Sequence, residues 1–248
     1  MVLEKPAHKL ILASCPYEIT PDLALFAAVT LKSCSLLPIQ GPCLFEEVAL
    51  DTFMNRWGLD NPGLEIVLKD TLPKVQAFQP NIILSALFST ESEIQPFLEK
   101  LDGHKLTGLE MNISCPNTHV FDLVLPIVSE ARRLLGTSVS LGLKIGPDFP
   151  PEILAALDID FLTFSNTRPT TYEGFGPGGL SGEPLREIVL RRLEKIRQAF
   201  PGVLIACGGV KSFLEYSSYL NLGADYVAVA SHYLKNKNIV FDILSQIE

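Results

Sequence analysis

A (β/α)₈ barrel occupying residues 1–248 as one domain is the fold class the sequence predicts, and three observations point to it. Eight short apolar runs alternate with longer segments of helical period over 248 residues. Most runs are continuously hydrophobic instead of alternating, as strands covered on both faces are. Lysines, asparagines and glycine pairs recur where the runs end, and barrel enzymes keep their chemistry at the C-terminal ends of strands. A doubly wound open sheet is the rival. No GxGxxG follows the first run, which removes the usual dinucleotide-binding form of that rival.

In chain order the predicted strands are LILAS (10–14), AVTLKS (28–33), NIILSAL (81–87), LTGLEMNIS (106–114), VSLGLKI (139–145), DFLTFSN (160–166), VLIACGG (203–209) and YVAVAS (226–231). The helix PDLALFAA follows Thr20 as a cap, and TESEIQPFLEKL opens with Thr90 and Glu93 at capping-box spacing. FDLVLPIVSEARRLL and PPEILAALD come next, the latter with proline at its start. PLREIVLRRLEKIRQAF sets Ile188, Leu193, Ile196 and Phe200 on or near one stripe opposite basic residues. SFLEYSSYLNLG ends in a glycine suited to a C-cap, and NIVFDILSQIE closes the chain.

Composition narrows the function. A net charge of −8 without any basic run argues against nucleic acid or an anionic membrane as partner. The first apolar run is too short to span a membrane and lacks a signal-peptide layout. Five cysteines are odd in number and show no CxxC spacing. A disulfide framework or metal site is therefore not expected, and the cytoplasm is the expected compartment.

Lys32 and Lys144 each interrupt an apolar strand pattern, which is costly unless each meets an anion. GPGGLSG (176–182) and CGGV (207–210) precede helices, where glycines let backbone N–H groups approach a phosphate; the bland alternative is tight turns. Ser231 could add a hydroxyl. Asn55, Asn112, Asn117 and Asn166 suit a cyclic ligand with alternating C=O and N–H groups, although any one of them could cap a turn. Cys34, Cys43 and Cys207 read as small buried hydrophobes, whereas Cys115 lies among polar groups, where a thiol can act as base or nucleophile.

These motifs resemble the dihydroorotate dehydrogenase family. EMNISCPN (110–117) is similar to that family's most specific signature, and MNRWGLDNPG (54–63) to its substrate-loop motif. LKS (31–33), LGLKI (141–145), FSNT (164–167), GGLSG (178–182) and ACGGV (206–210) follow in the family's order, so the resemblance runs from about residue 10 to 235. It implies a barrel that holds FMN at its C-terminal face and oxidises dihydroorotate to orotate in pyrimidine biosynthesis. Ala13, Ser14, Lys32, Ser33 and Lys144 would then contact the flavin. Gly178, Gly179, Gly208, Gly209, Ala230 and Ser231 would cradle its phosphate. Asn55, Asn112, Asn117, Asn166 and Thr167 would hold the substrate. Cys115, with Lys32 beside it as the other catalytic residue, would remove the C5 proton while the C6 hydride passes to flavin N5. Cys at the base position is similar to the soluble class. The implied partners are a second copy of the chain and an iron–sulfur flavoprotein electron-transfer subunit. Departures from the pattern are a short stretch at 118–126, a brief segment from Asn166 to Gly178, and Cys15 and Ala230 where glycine is usual. Two other readings stand beside this one: an FMN enzyme for another dihydropyrimidine, and a catalytically reduced binding subunit.

Overall fold

A computed structural model of the chain describes residues 1, 3, 7–88, 90–113 and 120–247. Among these, twelve strands form: β1 (Leu10–Leu12), β2 (Ala28–Thr30), β3 (Leu44–Ala49), β4 (Thr52–Arg56), β5 (Ile82–Ala86), β6 (Gly108–Asn112), β7 (Ser140–Ile145), β8 (Phe161–Phe164), β9 (Arg168–Tyr172), β10 (Gly176–Gly182), β11 (Val203–Cys207) and β12 (Tyr226–Val229). Eight of them close a parallel barrel in the order β1-β12-β11-β8-β7-β6-β5-β2, with β1 pairing both β2 and β12. Every predicted run contributes one barrel strand. The strands are shorter than the runs, so Lys32 and the Gly208–Gly209 pair lie just past strand ends, at the mouth.

Apolar side chains explain the closure. Ile11, Ala28, Ile83, Phe161, Ile205 and Ala228 pack together inside the barrel, and a larger cluster seals strands to the surrounding helices. Phe161 fits because the two strands before it carry glycine where they face its ring. A Cβ on Gly142 would stand 2.2 Å from two carbons of that ring, and one on Gly108 2.9 Å away. Gly142→Ala is therefore expected to destabilise the fold by about 1–3 kcal/mol through overpacking. Phe161→Leu should recover part of the loss. Urea unfolding measures both, and an unchanged midpoint in Gly142→Ala would remove this account of the packing.

The helices differ from expectation in local ways. Pro21–Leu25 and Pro151–Ala156 are 3₁₀ turns, not α-helices. Thr90 stands at an N-cap but makes no capping bond, because the segment opens as a 3₁₀ turn (Glu91–Glu93) and its hydroxyl meets Ser92 Oγ at 2.9 Å instead. In the helix Glu183–Ala199 the buried residues are Leu185, Val189, Leu193 and Ile196; Leu193, Ile196 and the following Phe200 are buried as predicted, and only Ile188, half-buried, departs from the expected stripe. Among the described residues no helix is long and apolar enough to cross a membrane.

The remaining four strands form an antiparallel sheet, β3-β4-β10-β9, built from the loops after β2 and β8. GPGGLSG is thus a strand, not the turn its glycines suggest. Glycine is needed there for close approach: a Cβ on Gly178 would lie 2.6 Å from the Asn55 carbonyl oxygen. Phe45 stacks on Phe53 at 5.6 Å between ring centres, which stiffens the β3–β4 hairpin. Cys43, expected to be buried, is exposed at the entry to β3, hydrogen-bonded to Asp60.

Candidate active site

The C-terminal ends of β1, β2, β6 and β8 bring five of the predicted residues into one chain of hydrogen bonds. Ser14 Oγ lies 3.1 Å from Ser33 Oγ, and the Ser33 backbone N–H donates to Ser14 Oγ at 3.0 Å. Asn112 Nδ2 donates to Ser33 Oγ (3.0 Å), and Asn166 Nδ2 donates to Asn112 Oδ1 (3.1 Å). The Thr167 backbone N–H donates to Asn166 Oδ1 (2.9 Å). Asn55 joins from the small sheet: its Nδ2 donates to the Gly179 carbonyl at 3.1 Å. Gly179 allows that approach, since a Cβ there would stand 2.4 Å from Thr167 Oγ1. The sheet therefore lies over the barrel mouth with Asn55 beside Thr167.

Two lysines border this chain in different ways. Lys32 donates to the Asp60 carbonyl, pairs with Asp60 Oδ2 at 3.4 Å and sits 5.8 Å from the centre of the Trp57 ring. Lys144 is 5% exposed, and among the described residues no acceptor or carboxylate lies within bonding distance of it. It stands between Asn112 and Thr163 in the strand register. A largely buried lysine in that condition is suited to an anionic or carbonyl-rich ligand.

At the opposite side of the mouth, Gly208 (φ 131°) and Gly209 (φ 70°) take backbone conformations that favour glycine. Gly209 lies against the chain where β10 runs into the helix Glu183–Ala199, and a Cβ on it would be 2.6 Å from the Gly182 carbonyl oxygen. Ser181 Oγ and Ser231 Oγ meet at 2.7 Å. Two hydroxyls and a glycine pair thus face one another at a helix start, an arrangement suited to phosphate. Gly178 and Gly179 lie further along β10, against Asn55 and Thr167. Ala230, where the family pattern has glycine, has φ −145°, so its backbone does not require glycine.

Beside this cradle, Asp51 at the tip of the β3–β4 hairpin ties the small sheet down. Its carbonyl accepts from the Glu183 N–H (2.8 Å), and Oδ2 accepts from Lys211 Nζ (2.9 Å). The Lys211 bond holds the Asp51 carboxyl below its usual pKa, against the opposing effect of burial. His232 Nε2 is 3.5 Å from Asp51 Oδ1, and burial lowers the imidazole's pKa.

A family model described as dihydroorotate dehydrogenase matches residues 16–248. The chain belongs to the dihydroorotate dehydrogenase family. The catalytic subunit of dihydroorotate dehydrogenase B (NAD(+)) from Geobacillus kaustophilus is 29% identical over 234 residues, covering 85% of this chain and 74% of the relative. The same subunit from Desulforudis audaxviator is 29% identical over 255 residues, covering 92% and 81%. The structure of DHODH from Eimeria tenella in complex with ferulenol superposes with a TM-score of 0.78 at 19% identity, over 96% of this chain and 80% of that one. This last likeness concerns the fold alone.

In this member of the dihydroorotate dehydrogenase family, Cys115 and Asn117 lie outside the described residues. The described thiols can be judged. Burial pushes Cys15 and Cys34 up to about 12 and also raises Cys207, while a hydrogen bond with Asp60 raises Cys43. None of these four is poised to ionise at neutral pH. Sequence reasoning missed Ser85, Glu110, Thr163, Ser181 and Gly182. The first three were visible as polar residues inside apolar runs, the signal that singled out the lysines.

Proposed function

We propose that this chain oxidises dihydroorotate to orotate in the cytoplasm, within pyrimidine biosynthesis, with FMN bound at the barrel mouth. The observation that carries this reading is the hydrogen-bonded chain Ser14–Ser33–Asn112–Asn166–Thr167 beside the buried Lys144. The residues fit FMN at both ends. Gly208, Gly209 and Ser231, with Ala230 and with Ser181 and Gly182 added, would hold its phosphate. Ala13, Ser14, Lys32, Ser33 and Lys144 would contact its ring system, and Gly178 and Gly179 would back the site from β10. When bound, FMN supplies the acceptor for the hydride that leaves C6 of the substrate. Asn55, Asn112, Asn117, Asn166 and Thr167 would orient the dihydropyrimidine ring and its carboxylate. Cys115 Sγ would take the C5 proton, with Lys32 as the cation nearest the reacting face. The β3-β4-β10-β9 sheet would exclude water from above.

Purified protein that is yellow, and that bleaches when dihydroorotate is added without oxygen, is the expected result. Equal bleaching by dihydrouracil, which lacks the carboxylate, would overturn the choice of substrate. The relatives' standing as catalytic subunits of NAD-linked enzymes supports a separate iron–sulfur flavoprotein partner, alongside a second copy of this chain. NAD reduction by dihydroorotate should then require the added subunit.

Asn112→Ala and Asn166→Ala should each keep FMN and lose about 1–3 kcal/mol of orotate binding, since each leaves a polar edge unpaired in a desolvated site. Flavin absorbance during an orotate titration reads this. Unchanged binding in both variants would remove the pair from the site.

A further inference from the structure

Between Gly208 and Gly209, just past β11, lies a peptide plane that glycine leaves free to turn. Turning such a plane alters ψ of the first residue and φ of the second, and here neither carries a Cβ to oppose it. The peptide is trans, so the Gly208 carbonyl and the Gly209 N–H point in opposite directions. Packing locates the two Cα atoms without choosing the sense of the plane. A Cβ on Gly208 would stand 3.0 Å from the Leu185 side chain, and one on Gly209 2.6 Å from the Gly182 carbonyl oxygen.

One hydroxyl holds the plane. Tyr219 Oη donates to the Gly208 carbonyl at 2.6 Å, and among the described residues no other hydrogen bond reaches that carbonyl or the Gly209 N–H. Tyr219 is fully buried on the helix Phe213–Asn221, in the cluster that seals strands to helices and that also holds Leu204 and Ala206 of β11. It therefore lies outside the barrel wall. The carbonyl drawn towards it turns the Gly209 N–H the other way, to the mouth. The helix that carries Tyr219 is itself fixed at its start, where Ser212 Oγ accepts from the Leu214 N–H (3.2 Å) and donates to Glu215 Oε2 (2.6 Å). Burial raises the Tyr219 pKa, so the phenol keeps its proton and stays a donor at any ordinary pH.

We infer that Tyr219 is a positioning residue: its hydroxyl holds the Gly208–Gly209 peptide in the sense that offers the Gly209 N–H to the cofactor's phosphate. This rests on the reading that the glycine pair holds the FMN phosphate. A donor already set in place has no ordering cost when the anion arrives, so preorganisation adds affinity without adding a contact.

The test titrates full-length apoprotein with FMN and with riboflavin, which lacks the phosphate, and reads flavin fluorescence. Tyr219→Phe keeps the ring and removes only the hydroxyl. Its FMN affinity should fall about tenfold, within the range for one hydrogen bond to a charged group. Its riboflavin affinity should stay at the parental value. A hydroxyl that serves the fold alone would move both flavins together or neither, and either outcome overturns the inference, whatever the urea midpoint does. Tyr219→Met, also without a hydroxyl, gives the same readout if the Phe variant fails to fold. Ser231→Ala separates the inference from the reading beneath it. If Ser231→Ala weakens FMN alone while Tyr219→Phe binds FMN at the parental affinity, the phosphate site stands and the role of Tyr219 falls. Parental protein that binds FMN no more tightly than riboflavin would overturn both.

Discussion

With Cys115 replaced by alanine, the enzyme is expected to keep its FMN and to be reduced by dihydroorotate about 10²–10⁴-fold more slowly, the usual contribution of a general base. No His, Asp or Glu occurs in NISCPN (112–117) to take the proton in its place. The nearest described carboxylate in sequence, Glu110, has both oxygens occupied by Ser85 and Thr163. A free thiol has a pKa of about 8.5, so most of it is protonated at neutral pH and only the thiolate is a base. The reduction rate should therefore rise with pH and level off above the thiol pKa. Cys115→Ser should keep weak activity that needs a higher pH, since a hydroxyl ionises less readily. If the thiol merely fills space, alanine costs some stability and nothing in rate. Anaerobic stopped-flow separates the two, and a Cys115→Ala enzyme bleaching at the parental rate would leave the base unassigned.

Lys144→Ala should purify largely without cofactor. Its side chain is 5% exposed and has no acceptor within bonding distance among the described residues, so a bound ligand would provide a strong partner. A hydrogen bond to a charged group contributes about 1.5–3 kcal/mol, or roughly a tenfold to hundredfold change in affinity. Quenching of FMN fluorescence on titration into apoprotein measures the change. Full retention of FMN, with an unchanged reduction rate, would show that Lys144 has another task.

The barrel was legible because its strands are apolar runs of strand length and both faces of them are covered. Nothing comparable marks the small sheet. GPGGLSG has almost no strand propensity, and it pairs with β4 only because glycine lets Asn55 and Thr167 come close, a long-range fact. The asparagines proposed to hold the ring were legible as residue types, since asparagine at several strand ends is unusual. What joins them was not: Asn112 and Asn166 meet directly across 54 positions, a contact that spacing does not reveal. Gly178 and Gly179 pack within β10 against Asn55 and Thr167, a placement that spacing alone cannot give.

The β4–β10 pairing has a consequence for how the molecule is assembled. Register partners Asn55 and Gly179 are separated by 124 residues, so the cover of the mouth is a clasp whose two halves are made far apart in time during synthesis. Until β10 emerges, the β3–β4 hairpin presents β4 as a bare edge, with its ladder groups open to solvent or to another chain. Such high-contact-order pairing forms late, after its loop-closure entropy has been met. The clasp can nevertheless be set before the barrel itself closes, since β1 must wait for β12, the last strand of the chain to be made.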